Sequence, residues 1–236
     1  MKRAAGLGLM AVSLAACGSD DSSTSTSTST TTTTVTPVSA ALTVSTDTVV
    51  GTTGNDSVTG ARIDTVQTLN SGDSIALGAG TDSLSATLNA GSIAPASITG
   101  VETITLTALG AATIDFDNVS GVTSIVSTGS TATLVVDDIQ ALVTSIGVSN
   151  ATANQTFTFK DAAVAGTADS LTINLDGVAI AAGSNLDIGG ETDVDGDIET
   201  IVINATGGAS DLGDGAGFGA DVLIFTQTGA GFFTEK

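Results

Sequence analysis

The feature that most restricts this chain is the recurrence of short runs in which β-branched or apolar residues alternate with small polar ones. The runs are 102–107, 113–116, 124–127, 133–136, 156–159, 170–175, 199–204 and 221–225. A period of two puts alternate side chains on opposite faces of a strand, so each run reads as a strand with one buried face. Gly, Asn, Asp and Ser separate the runs at intervals of roughly 10 to 25 residues, and only Pro37 and Pro95 occur in the whole sequence. Helical signals are confined to 137–143 and 161–165, each long enough for one turn. The fold class is all-β.

Evenly spaced short strands suit a sandwich, a barrel or a solenoid. Three features favour a parallel β-solenoid, with a β-sandwich as the alternative. Gly100–Leu106 returns as Asp197–Ile203 and, more loosely, as Thr167–Ile173; each phrase is an acid, a hydroxyl residue and then a strand. The interior residues are small and branched, with seven Phe and no Trp or Tyr, as a narrow stack of coils requires. Asn and Thr recur at strand edges, where stacked rungs can ladder their side chains.

The first residues give an address. Lys2 and Arg3 precede an apolar run, Ala4–Ala16, that ends in small residues before Cys17. This is the layout of an export signal, and it falls short of the roughly 20 residues a membrane span needs. The tetrapeptide 14–17, Leu-Ala-Ala-Cys, resembles the lipobox of bacterial lipoproteins. That resemblance implies cleavage after residue 16 and lipidation of Cys17, with Gly18 directing the protein to the outer membrane. Cys17 is the sole cysteine, so no disulfide competes for it. Residues 17–39 are then a lipidated Ser/Thr-rich tether, too polar to bury a core and a candidate for O-glycosylation. The folded body is 40–236.

Charge limits the partners. The chain carries 25 Asp and Glu against 5 Lys and Arg. Nucleic acid is excluded, because phosphate binding needs clustered basic residues. A folded body with this much unpaired negative charge repels itself unless cations neutralise it.

The glycine turns suggest which cation. The nonapeptide repeat of calcium-binding β-helices reads G-G-x-G-x-D-x-U-x, where U is a large apolar residue. Residues 51–59, 77–85 and 216–224 each keep its second half, Gly-x-Asp-x-U, around Asp56, Asp82 and Asp221. Glycine permits the positive-φ turn that points carbonyls inward, and aspartate adds an anionic oxygen. Calcium takes six to eight such oxygens, so two stacked turns are needed per ion, whereas these three are scattered. The alternative is a set of ordinary glycine corners with solvated aspartates. A separate cluster of acids at every second position, Glu191, Asp193, Asp195, Asp197 and Glu199, suits a loop wrapped round a cation. Asp211 and Asp214 lie nearby in sequence.

Residues 48–58, 78–84 and 97–104 are similar to the β-solenoid region of alphaproteobacterial S-layer proteins of the Caulobacter type, with RTX-like calcium repeats. The similarity runs across most of 43–230. It implies a calcium-bearing, right-handed β-solenoid that assembles into a surface lattice. By position its ligand acids are Asp56, Asp82 and Asp221, with Asp73 and Glu102 as weaker matches. Two departures stand out: the lipobox, where family members use a C-terminal secretion signal, and the short length without tandem calcium repeats.

Enzymatic chemistry has little to work with. The chain has no His, hence no Ser–His pair and no His-bound zinc. Carboxylate pairs can cleave glycosides, but the aromatic platforms that hold sugars are missing. The expected function is a non-enzymatic, lipid-anchored surface protein. It would associate with itself, with other surface-layer proteins or with envelope polysaccharide. The alternative is a surface adhesin or ligand-binding module, including an ice-binder that uses flat Thr-x-Thr arrays such as 103–107.

Overall fold

The computed structural model describes residues 35–180, 185–191, 198–208, 210–211, 217–218, 220–228 and 233–234. Val35–Lys236 forms one compact unit, and it is a parallel β-solenoid. One sheet of nine strands runs its whole length: Ser39–Ala41, Ser57–Gly60, Ser83–Leu88, Thr103–Ala108, Ser124–Thr128, Ser145–Ser149, Ser170–Asp176, Ile198–Thr206 and Ala220–Thr228. Successive rungs of this long face are offset by 18, 26, 20, 21, 21, 27, 30 and 22 residues, which makes about eight coils. A six-stranded sheet forms a second face, from Gly91–Ile93 to Gly217–Phe218. A four-stranded sheet, from Thr48–Val50 to Val119–Ser120, closes the third side of the early coils.

Every strand pairing in these sheets is parallel, which rules out the sandwich, whose sheets are antiparallel. The reason lies in the alternation. Inward residues stack in register: Val58, Leu84, Ile104, Ile125, Ile146, Ile173 and Ile203 form one column along the long face, each at most 1% exposed. A parallel ladder keeps identical positions above one another, so one branched aliphatic per rung fills a narrow core. The bulkiest buried side chains are only Phe116, Phe157 and Phe159.

Among the described residues there is no α-helix. The expected turn at 161–165 is a 3-10 turn, Asp161–Ala163. The expected turn at 137–143 is not helical. Its first residues belong to the strand Leu134–Ile139, where Val136 pairs with Phe157 and Ile139 with Phe159. One extra residue is thus accommodated as a bulge, with Asp138 at φ 59. The alternating apolar positions on either side outweigh the local helical signal.

Candidate functional site

Acids sit at the corners of the solenoid for a reason that begins with the backbone. Where a coil turns into the long face, the amide just before the strand needs an acceptor. At that position stand Asp56, Asp82, Glu102 and Asp169, with Glu199 at the equivalent place inside the start of Ile198–Thr206, each followed by Ser or Thr and then an inward aliphatic. Four of these carboxylates reach back one rung, while Asp169 accepts the Gly166 amide of its own turn at 3.0 Å. Val38 N–H donates to Asp56 Oδ1 at 2.5 Å, Asp56 N–H to Asp82 Oδ1 at 2.7 Å, and Asp82 N–H to Glu102 Oε2 at 2.7 Å. Asp169 N–H likewise donates to Glu199 Oε2 at 2.6 Å. A second corner repeats the device: Asp47 N–H donates to Asp73 Oδ1 at 2.8 Å and Asn70 N–H to Asp73 Oδ2 at 2.7 Å. The repeated acid–hydroxyl–strand phrase is therefore a corner signal.

The two Gly-x-Asp turns around Asp56 and Asp82, far apart in sequence, are neighbours here. Their offset of 26 residues is one coil, so Asp56 and Asp82 stack directly, with Glu102 on the following rung. The glycines let the turns nest. A β-carbon on Gly78, at φ +97, would overlap the carbonyl oxygen of Thr52, and one on Gly80 would overlap that of Gly54.

The stacked acids differ in what they still offer. The Asp56 carboxylate is filled by donors, taking Thr52 N–H at 2.5 Å and the Thr52 hydroxyl besides Val38. The Thr52 and Val38 amides hold its carboxyl below the ordinary carboxylate range, against the opposing effect of burial. Asp73 is pushed the other way: burial raises it, and the two amides only partly offset that. Asp82 is 1% exposed, and among the described residues its Oδ2 has no hydrogen-bond donor.

These shifts have opposite signs in pH. Asp56 favours the fold above the ordinary carboxylate range, and that contribution is lost as pH falls through its lowered folded value. The Asp73 carboxylate opposes folding at neutral pH, and the penalty fades as pH falls through its raised value. We expect Asp56→Asn to flatten the acid limb of stability from ~pH 5 downward, measured as urea midpoints. An unchanged limb would show that the Asp56 carboxylate contributes nothing there.

A third group of acids lies beside the strand bulge. Carboxylate oxygens of Asp115, Asp117 and Asp138 fall within 4.8 Å of one another, a group that could hold a metal ion. The bulge turns Asp138 toward Lys160, whose ammonium pairs with Asp138, with Glu191 at 2.8 Å and with Asp117 at 3.5 Å. The hydrogen bonds that Lys160 donates to Asp138 and Glu191 raise it above its ordinary value. Asp138 is lowered by the bond it shares with Glu191 and then by Lys160. None of the sequence-predicted ligands is in this trio. Its signal, a bulge that adds one residue between Val136 and Ile139, is a pairing property invisible in a single strand's sequence.

Of the 191–199 cluster, Glu191 serves Lys160 and Glu199 serves the corner, so these two acids have separate structural partners. Asp193, Asp195 and Asp197 lie outside the described residues, as do Asp214 and Cys17. Asp221 lies in the last long-face strand, one rung beyond the corner acid Glu199, and its side chain is outside the description. Asp211 belongs to the short strand Ser210–Asp211. No protein-family model matches the chain, and no curated protein matches it either.

Proposed function

We propose that this is a non-enzymatic cell-surface structural protein of S-layer type, lipid-anchored through Cys17 at the outer membrane and stabilised by calcium at its glycine–aspartate corner. The observation that carries the reading is the unpartnered oxygen of Asp82. A buried carboxylate oxygen without a donor is expensive, and the neighbouring rungs carry further carboxylates, Asp56 on one side and Glu102 on the other. The Gly54 carbonyl and Asp82 Oδ1 both lie within 3.0 Å of where a β-carbon on Gly80 would stand, and Glu102 stacks on the next rung. Carboxylates and a backbone carbonyl are the hard oxygen ligands that a divalent cation takes. Calcium there would offset the charge of carboxylates stacked about 4.8 Å apart.

Self-association is supported by the last long-face strand. Leu223 and Phe225 continue the inward columns of Ile201 and Ile203, yet they are 39% and 53% exposed. The test is electron microscopy and light scattering of the purified chain, in calcium and in chelator. Sheets or filaments that form in calcium and dissolve in chelator are expected. A monomer in both conditions would contradict the reading.

One observation favours an adhesin or ice-binding face as a second reading. Outward hydroxyls line up in columns on the long face: Ser57, Ser83, Thr103, Ser124 and Ser145, beside Thr59, Ser85 and Thr105. Within the column the Ser145 hydroxyl donates to Ser124 Oγ at 3.0 Å. Thermal hysteresis at the ice front, or retention of one envelope polysaccharide by a soluble monomer, would favour it. Contact with envelope polysaccharide is part of both readings.

A further inference from the structure

The coil that begins at Ser57 leaves the solenoid's path over residues 61–68, where other coils enter the six-stranded face. Ile63 and Val66 exchange both backbone hydrogen bonds at 2.9 Å, closing a tight turn with Asp64 at φ 55. The result is a knob whose apolar side chains point outward: Ile63 is 50% exposed and Val66 51%. It is rigidly held. Asn89 of the next rung donates from its side-chain amide to the Thr65 carbonyl and accepts from Arg62 Nη1 at 3.2 Å. The Asn89 amide donates to Gln67 Oε1 at 2.9 Å, and the buried Thr68 hydroxyl donates to the Ala61 carbonyl at 2.6 Å.

Arg62 is out of place in so acidic a chain. Its guanidinium bonds a neutral amide, and among the described residues it forms no ion pair; the described ion pairs all belong to Lys160. An exposed aliphatic pair beside an unneutralised guanidinium, on a pinned turn, is built like a docking element.

The long face carries a matching recess. In the outward column Thr105, Val126, Gly147, Asn174, one rung lacks a side chain at Gly147. A notch of about 260 Å³ opens there, with Val126 and Asn174 at its sides and Asp176 at its rim. Small-molecule pockets occupy roughly 300–1,000 Å³; this one is nearer the size of one or two aliphatic side chains. Asp176 is exposed and accepts the Gly208 amide at 2.9 Å, and among the described residues it has no cationic partner.

Knob and notch lie four rungs apart on one rigid stack, about 19 Å at ~4.8 Å per rung, so they cannot meet within one chain. We propose that the 61–68 knob docks in the Gly147 notch of a second copy, with Ile63 and Val66 against Val126 and Arg62 paired with Asp176 of that copy. The contact joins two different surfaces, so it is heterologous and propagates head to tail, into a ring where the rotation closes and an open filament where it does not. This rests on the self-association reading and specifies its interface.

The test is sedimentation velocity of the full chain in calcium over a wide concentration range. Arg62→Asp and Asp176→Arg should each weaken association tenfold or more, and the double variant should recover most of the loss. Gly147→Thr should weaken it independently. A β-carbon there would meet the Val126 methyls at 3.4 Å, at the short end of ordinary contact, with no backbone overlap. Circular dichroism confirms folding of each variant. A parent that assembles while the charge reversals and the filled notch leave association unchanged would overturn the interface alone. So would a double variant as weak as the single ones. A parent that stays monomeric would overturn self-association itself.

Discussion

Gly78→Ala is expected to lower the stability of the solenoid by about 3 kcal/mol, from backbone strain plus displacement of a packed turn. Two effects add at this position. The φ of +97 lies outside the region that L residues occupy, and the new methyl would overlap the Thr52 carbonyl of the preceding rung. Thr52 cannot retreat freely, because its amide and hydroxyl hold the Asp56 carboxylate. Gly129→Ala is the control: φ is +61, and nothing lies within 4 Å of the added carbon. It should lose only about 1 kcal/mol, the ordinary strain of the left-handed region. Urea unfolding at constant slope measures both. Equal losses in the two variants would mean that nesting of the turns contributes nothing.

Ile125→Ala should be comparably damaging, at about 2–5 kcal/mol for a buried aliphatic truncated in a packed core. Ile125 is 0% exposed and stacks between Ile104 and Ile146, so the cavity opens toward both neighbouring rungs. Its neighbour Val126 points outward, and Val126→Ala should stay within about 0.5 kcal/mol. In a stacked fold each coil contacts chiefly its neighbours. The loss of hydrogen-exchange protection should therefore be greatest in rungs 103–108, 124–128 and 145–149. Uniform loss along the whole chain would instead indicate all-or-none cooperativity.

Much of this architecture can be read from residue pattern alone. The alternation at 102–107, 124–127 and 170–175 specifies strands with one buried face, and the small branched interior specifies a narrow core. The repeated acid–hydroxyl–strand phrase marks corners, although its physical purpose, an acceptor for the amide one rung back, emerges only when rungs are stacked. Spacing misleads for the same reason. Asp56 and Asp82 look isolated along the chain because coil length varies from 18 to 30 residues, and variable coils hide a repeat that is regular in space. The Lys160 centre depends on pairing register: Asp138 faces the lysine only because a bulge shifts its strand against 155–159. No motif marks 61–68 in the sequence; the knob follows from the Ile63–Val66 backbone pairing, which leaves both side chains exposed.

The most direct test of the central claim, that a divalent cation completes the Asp82 corner, is a thermal melt of the parent and of Asp82→Asn, each in millimolar calcium and in chelator. Asparagine keeps the Oδ1 acceptor for the Asp56 amide and removes the charge from the unpartnered side. A ligand that binds only the folded state stabilises it by ~2.7 kcal/mol at a hundred times its dissociation constant. The account predicts that calcium raises the parent's melting midpoint well above its value in chelator, and that Asp82→Asn loses most of this gain. Identical parent melts in calcium and chelator would contradict it, as would an Asp82→Asn variant that keeps the full calcium response.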